Sequence, residues 1–304
     1  ITANSYNIDA TNITLGSRSS LTLTSGSLVG NVALASSSTL TIGSGGLTGK
    51  VDGSAANVGT VTFNSTGAIT LASGTTIGSN SDASTTNGVS AVNITGTSAV
   101  TANDAIKATT VTIGDGTNTA SLALAASKAI TGNVVINASG TLTLNNSSSV
   151  SGTINAASSG VGTLAIASSS SVVAAANIGG SSSSTALSSV TVGSSSTLNL
   201  ATNNVTLRAT TVSLTGTLTA GSGVVTGTIQ GSSDGAGTVN FNASQTLAGN
   251  VGTSANSLSS IVLASSVAIT ANSYNIDSTN ITLGSSSSLT LTSGSLVGNV
   301  ALAS

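Results

Sequence analysis

The chain has 304 residues, of which only 5 are Lys or Arg and 7 are acidic, and it contains no Cys, His, Met, Pro or Trp. Without Cys or His it cannot form a disulfide, bind a zinc, haem or iron–sulfur centre, or use a His base or a Cys nucleophile. The shortage of basic and aromatic residues excludes the usual means of nucleic-acid binding. We therefore predict a non-enzymatic protein with no catalytic residues, no metal and no cofactor.

Short runs in which apolar residues alternate with Thr, Asn or Ser follow one another along the chain. Such period-2 alternation, bounded by Gly, Ser and Asn clusters, indicates short half-buried β-strands. No segment has sustained helical periodicity, so no helix is expected. No apolar run approaches the roughly 18–20 residues that cross a bilayer, and no signal peptide is visible, so we expect a mature product or an internal excerpt. In chain order, the clearest runs are Leu21–Leu23, Leu40–Ile42, Val61–Phe63, Ile69–Leu71, Val111–Ile113, Leu142–Leu144, Leu198–Leu200 and Val239–Phe241.

The chain repeats itself at a large scale. Residues 1–36 return as residues 269–304 with two differences, Ala10→Ser278 and Arg18→Ser286, so 36 − 2 = 34 positions match. Because position 269 repeats position 1, the period is 269 − 1 = 268. We predict one complete unit at 1–268 and the start of the next at 269–304, within one continuous solenoid that is a window of a longer tandem array.

A smaller motif recurs inside the large unit. An apolar-x-apolar strand leads through a Gly/Ser/Asn link to an apolar-x-Gly-x-apolar segment, as in residues 21–32, 40–51, 142–154 and 239–251. The interval between successive strands of the first kind runs from 40 − 21 = 19 (Leu21 to Leu40) to 164 − 142 = 22 (Leu142 to Leu164). We therefore predict an all-β fold, a parallel β-solenoid or β-helix with coils of about 19–22 residues, since an interval of this size is typical of one solenoid coil.

The composition suits a solenoid wall. Small apolar residues would fill a narrow core, Thr would face outward from the strands, and Gly and Asn would occupy corners that need positive φ. The absence of Pro fits a fully paired ladder. We expect the Gly of the apolar-x-Gly-x-apolar segment to face inward and to allow close approach of the opposite wall.

Three residues are candidates for a binding role. Asp115, within Gly-Asp-Gly-Thr-Asn at 114–118, is a candidate calcium ligand, but a calcium loop needs several acidic ligands and the single carboxylate favours a turn. Tyr6 and Tyr274 occupy the same position in successive units and are candidate adhesive anchors. The alternative for both is a core or capping aromatic, and Phe63 and Phe241 are predicted to be core residues.

The other charged residues are predicted to play no part in catalysis. Lys50 and Asp52 read as an exposed ion pair, and Asp104 and Lys107 as part of a solvated loop. A Ser-Lys dyad at 127–128 is expected by chance in a chain so rich in Ser. A polysaccharide-cleaving enzyme would need clustered carboxylates, whereas the seven are scattered, at Asp9, Asp52, Asp82, Asp104, Asp115, Asp234 and Asp277.

Segments such as Gly-Thr-Val-Asn-Phe-Asn at 237–242, Leu-Ala-Gly-Asn-Val-Gly-Thr-Ser-Ala-Asn at 247–256 and Val-Thr-Ile-Gly-Asp-Gly-Thr-Asn at 111–118 resemble the passenger regions of large bacterial autotransporters. Rickettsial outer-membrane autotransporters are a close comparison. The resemblance implies a right-handed parallel β-helix displayed outside the cell, in proteins that act as adhesins, surface coats or aggregation factors.

Two functions follow as expectations. The first is an extracellular structural repeat protein that forms a bacterial surface fibre, filament or coat by end-to-end or lateral association with itself. The second is an adhesin passenger that binds a glycan or protein of a host or environmental surface. A carbohydrate-active enzyme and a functional amyloid are the remaining alternatives, disfavoured by the scattered carboxylates and by the distinct coils.

Overall fold

The computed structural model describes residues 1–78, 88–180 and 182–303, and its parallel sheets form about 15 turns of β-solenoid. This confirms the predicted fold class. The chain divides into two compact units, unit 1 (Ile1–Thr143 and Ser148–Ala157) and unit 2 (Leu144–Ser147 and Ser158–Ser304). The sequence repeat places a boundary at 268/269 instead, and residues 269–303 lie within unit 2, paired with the coil that precedes them.

Unit 1 is built from parallel strands that stack coil upon coil. One sheet has the order β1-β3-β5-β8-β10-β12-β14-β16, with β17 beside β14, a second has the order β2-β4-β6 with β7 beside β4, and a third run is β9-β11-β13-β15. The strands are β1 Thr2–Ala3, β2 Ile8–Leu15, β3 Ser20–Leu23, β4 Leu28–Leu34, β5 Thr39–Ile42, β6 Leu47–Thr48, β7 Val51–Gly53, β8 Thr60–Ser65, β9 Ala68–Leu71, β10 Val89–Gly96, β11 Ala99–Ala102, β12 Ile106–Ile113, β13 Ala120–Leu124, β14 Ala129–Ile136, β15 Gly140–Leu144, β16 Ser149–Val150 and β17 Ile154–Ala156.

Unit 2 follows the same plan. Its sheets run β18-β20-β22-β24, β19-β21-β23-β25-β27-β29-β31 and β26-β28-β30. A short 3₁₀ turn occupies Ser183–Thr185, and among the described residues no helix is long and apolar enough to cross a membrane. The strands are β18 Val161–Ile166, β19 Ser171–Val173, β20 Leu187–Val192, β21 Thr197–Asn199, β22 Leu207–Leu214, β23 Thr217–Ala220, β24 Val225–Gly231, β25 Thr238–Phe241, β26 Gln245–Thr246, β27 Leu258–Leu263, β28 Ala268–Ala271, β29 Ile276–Leu283, β30 Ser288–Leu291 and β31 Leu296–Leu302.

Stacking of like residues shows the length of each coil. Leu21 lies beside Leu40 and Leu40 beside Val61 in the parallel register, which confirms the predicted interval for these two coils. Other coils are longer than predicted, for example where Val61 pairs with Val92 (92 − 61 = 31) and where Leu164 pairs with Val190 (190 − 164 = 26). A coil accommodates inserted residues between its strands because the ladder on either side of the insertion is preserved. In unit 2 the extra residues include the 3₁₀ turn.

The core consists of the inward members of each alternating strand. In β5 and β8 the apolar side chains are fully buried, whereas the Thr residues between them are half-exposed. Phe63 and Phe241 are buried at 0 % and 2 % exposure, which confirms their prediction as core residues. Burial of these short alternating strands requires a coil on each side, since a single coil has no second layer to cover it.

Serine occupies many of the left-handed corners that were predicted for Gly and Asn. In the described part of the chain, eight of the eleven non-Gly residues with positive φ are Ser, for example Ser37 and Ser195, at φ of 58° and 55°. Ser38, the residue after Ser37, adds a hydrogen bond across the corner, because its hydroxyl donates to the Ala35 carbonyl at 2.7 Å. The hydroxyl compensates part of the strain of a left-handed residue, because it satisfies a carbonyl of the turn.

Each of four long strands carries a β-bulge directly after its second residue. The ladders β2–β4, β12–β14, β22–β24 and β29–β31 shift register after Asp9, Lys107, Arg208 and Asp277 respectively. The four strands share the pattern apolar, charged, Ala or Ser, Thr. A bulge bends a strand and re-aims the side chain beside it. The structure therefore places a charged residue at every one of these bends.

The glycine facing each bulge has a role different from the one predicted. A Cβ atom at Gly132 would lie 1.8 Å from the carbonyl oxygen of Ala108, and one at Gly227 would lie 1.7 Å from that of Ala209. These oxygens belong to the neighbouring coil, not to the opposite wall, so the predicted contact is wrong. Both glycines also have positive φ, 135° and 109°. Gly is required here because the bulged strand pushes its carbonyl into the space of a side chain.

The final coil of unit 2 shows what stacking contributes. Leu28 and Leu34 of β4 are fully buried, whereas their counterparts in β31, Leu296 and Leu302, are 40 % and 77 % exposed. The two strands have the same sequence, Leu-Val-Gly-Asn-Val-Ala-Leu. The difference arises because β4 is paired on one side with β2 and on the other with β6 and β7, whereas β31 is paired with β29 alone.

Candidate functional sites

Asp115 forms a turn through its own carboxylate. One carboxylate oxygen accepts hydrogen bonds from the backbone N–H groups of Thr117 (2.9 Å) and Asn118 (2.8 Å) and from the Thr117 hydroxyl (2.8 Å). The other accepts from the Asn118 side chain at 3.0 Å and from the N–H of Gly96 at 3.1 Å. Among the described residues, no group of three or more acidic side chains could hold a metal ion. These contacts are those of a turn, and they include no second carboxylate of the kind that a calcium site needs.

The hydrogen bonds from Asn118, and after them those from Thr117, hold the pKa of Asp115 well below its usual range. Because the folded pKa is depressed, the turn adds stability that is fully present above the unfolded pKa of about 4 and declines as the pH falls below it. We expect Asp115→Ala to lower the urea midpoint of unit 1 at pH 7. The difference in urea midpoint between the variant and the parent should become smaller at pH 2. A difference that does not change with pH would contradict the role of the Asp115 carboxylate in the turn.

The two candidate tyrosines differ in their surroundings. The side chain of Tyr6 is 76 % exposed, whereas that of Tyr274 is half-buried and lines a cleft of unit 2. No described coil lies before Tyr6, whereas Tyr274 follows the coil that contains Asn250, whose side-chain oxygen accepts a hydrogen bond from the N–H of Asn275. Neither ring is fully buried.

The charged residues near the middle of unit 1 include an ion pair between successive coils. Asp104 forms an ion pair with Lys128 of the next coil at 3.2 Å, and its other oxygen accepts from the N–H of Gly74 at 3.0 Å. Burial opposes ionisation of Asp104, but the hydrogen bonds from Gly74, Ala105 and Lys128 outweigh it and lower the pKa. Asp104 lies in the connection between β11 and β12, as predicted, whereas Lys107 lies in β12, so the loop prediction is wrong for Lys107.

The remaining predicted positions fall on the wall or outside the described residues. Lys50 and Asp52 are half-exposed on either side of the buried Val51. Ser127 is a corner residue with φ of 60°, and its neighbour Lys128 is engaged by Asp104, so no Ser-Lys dyad is assembled. Asp82 lies outside the described residues.

Three of the four charged bulge residues line surface clefts that the sequence analysis missed. Lys107 lines a cleft of about 310 Å³, Asp277 one of about 320 Å³ and Arg208 one of about 430 Å³. The available signal was the fourfold pattern apolar, charged, Ala or Ser, Thr that begins at positions 8, 106, 207 and 276.

The clefts are suited to binding. The Arg208 cleft is lined by hydroxyl, amide and guanidinium groups, and no Asp lies among its lining residues. In the Lys107 cleft the carboxylate of Asp104 is already engaged by Lys128. Comparison of the chain with protein-family models, with curated proteins and with solved structures found no match.

Proposed function

We propose that the chain is a non-enzymatic structural repeat protein of the bacterial cell surface, a window of a long tandem β-solenoid that forms an extracellular fibre or coat through association with itself. One observation carries the proposal. Residues 269–303 repeat residues 1–35 almost letter for letter, and their strands pair in the register of the first copy, Ile276 with Leu296 as Ile8 with Leu28.

The strands that stack on β3 and β4 in unit 1 indicate which sequence would stack on their repeats, β30 and β31, in unit 2. In unit 1, residues 39–53 supply β5, β6 and β7, which pair with β3 and β4. Since β30 and β31 repeat β3 and β4, a coil with the sequence of residues 39–53 would pair with them in the same register. Each added unit would present the same face again, so growth would proceed by repetition of one internal contact.

The composition supports a location outside the cell and packing of like chains. The net charge of −2 over 304 residues leaves little electrostatic repulsion between copies. Thr and Ser on the strand faces offer hydrogen bonds without charge. The resemblance to autotransporter passengers points to the same location and to assembly with other copies of the chain.

Electron microscopy of a chain with three copies of the large unit tests the proposal. We expect unbranched rods that lengthen by about 60 Å per unit, because about 13 coils stack roughly 4.8 Å apart. A chain with one unit is the matched control for length. Compact particles whose longest dimension does not grow with the number of units would contradict the proposal.

A further inference from the structure

We propose that the cleft beside Arg208 binds a short saccharide that carries a carboxylate, so that unit 2 contains a site for an acidic glycan in addition to its structural role. The cleft lies wholly within unit 2 and has a volume of about 430 Å³. This volume falls within the range of about 300–1,000 Å³ typical of small-ligand sites.

Small residues make up much of the cleft lining. They are Gly227 and Gly249 together with Ala186, Ala209 and Ala248. A Cβ at Gly249 would lie 2.0 Å from the carbonyl oxygen of Gly227, so stacking of the coils leaves no room for a side chain at this position. An apolar lining with few large side chains matches the C–H face of a pyranose ring.

Hydroxyl and amide groups also line the cleft. Thr210, Thr226 and Thr228 belong to two successive coils, and Ser159, Ser183 and Asn250 complete the set. The Asn250 side-chain oxygen accepts the N–H of Asn275 at 2.9 Å, which orients its NH₂ group. Groups that both donate and accept are what sugar hydroxyls pair with.

Arg208 gives the cleft its charge. It is the only Lys or Arg in residues 144–304, and it stands at the bulge of β22. One of its guanidinium nitrogens donates to the Gly180 carbonyl at 2.7 Å, which fixes the orientation of the group. None of the residues that line the cleft is acidic. A held guanidinium with further N–H donors and no carboxylate beside it is suited to bind a carboxylate in bidentate fashion.

Tyr274 supplies the aromatic surface of the cleft. Its ring is half-buried, stands in the coil after Asn250 and lines the same cleft as Arg208. Aromatic rings with a polar tip bind ligands that are apolar on one face and polar at the rim. The combination of Tyr, Arg, hydroxyls and small apolar residues in one cleft favours an acidic saccharide over a neutral saccharide, a peptide or a nucleotide.

Titration of the full chain with fluorescent tetrasaccharides tests the proposal. The acidic probes are oligogalacturonate and hyaluronan tetrasaccharides, and the neutral probe is maltotetraose. We expect at least one acidic probe to bind at least about tenfold more tightly than the neutral one, with an affinity that falls as NaCl is raised. Equal affinity for acidic and neutral probes, or no binding of either acidic probe at millimolar concentration, would overturn the proposal.

Matched variants localise the site. Arg208→Gln is expected to weaken binding of the acidic probe at least about tenfold, with partial recovery in Arg208→Lys. Tyr274→Ala is expected to weaken it about fivefold. Arg18→Gln and Tyr6→Ala change the same residue types outside the cleft and should bind as the parent does.

Retained affinity for the acidic probe in Arg208→Gln would refute the site. If Arg208→Gln unfolds, the affinity of Tyr274→Ala and the salt dependence of the parent's affinity decide whether the site exists. Rod formation is measured separately, so the failure of one proposal leaves the other standing.

Discussion

Replacing Gly132 with Ala is expected to lower the free energy of unfolding of unit 1 by at least about 3 kcal/mol, because two separate penalties combine. The residue has φ of 135°, where L-residues are strained. Its new Cβ atom would also lie 1.8 Å from the carbonyl oxygen of Ala108, so the β12–β14 ladder would have to open. Urea denaturation measures the loss, and hydrogen exchange of β12 and β14 locates it.

Substitutions at two further glycines of unit 1 measure the cost of the positive φ separately from the cost of the contact with the neighbouring coil. Gly46 has φ of 81° and open space around its Cβ position, so Gly46→Ala should cost only about 1 kcal/mol. Gly67 has open space and no positive φ, so Gly67→Ala should be neutral or stabilise by about 0.5 kcal/mol. If Gly132→Ala costs no more than Gly46→Ala, the contact with the neighbouring coil is not what requires glycine at position 132.

Leu34→Ala and Leu302→Ala remove the same side chain from the same local sequence, yet their effects on stability should differ widely. Leu34 is fully buried between coils, so its truncation is expected to cost about 2–5 kcal/mol. Leu302 is 77 % exposed, so its truncation should change stability by no more than about 0.5 kcal/mol. Urea denaturation of both variants measures the difference.

Adding one coil to the chain should remove this difference. When residues 37–64 are appended after Ser304, the added β5–β8 sequence should cover β31 as it covers β4. Leu302→Ala should then cost about 2–5 kcal/mol, and the amides of β31 should become protected from exchange. A scrambled extension of the same composition is the control. If Leu302→Ala remains neutral beside the native extension, the stacking on which the fibre proposal rests does not occur.

Much of the fold was predictable because its causes are local. Alternation of Leu21, Leu23 and their successors with Thr sets which side of each strand is buried, and this pattern has the strand's own period of two. The regular interval between strands follows from repetition of one coil, so it is visible without knowledge of the neighbours. Phe63 and Phe241 were assigned to the core on the same grounds.

Other features depend on contacts between coils that are distant in sequence. Gly132 is required by the carbonyl of Ala108 in the coil before it, and Asp104 takes its ion-pair partner Lys128 from the next coil. No local pattern shows which carbonyl a bulge will displace or which charges will meet. The prediction of an opposite-wall contact for the glycine failed for this reason, and the sequence pattern did not reveal the partner of Asp104.

The sequence by itself therefore determined the strand pattern, the usual coil length and the absence of Cys and His chemistry, because these depend on residue type and on short-range period. The tertiary structure decided which copies of a repeated residue are buried. Tyr6 and Tyr274, or Leu34 and Leu302, stand in nearly the same local sequence and differ only in whether another coil lies beside them. It also decided that Arg208 shares a cleft with Tyr274, since stacking brings together side chains from well-separated parts of the sequence.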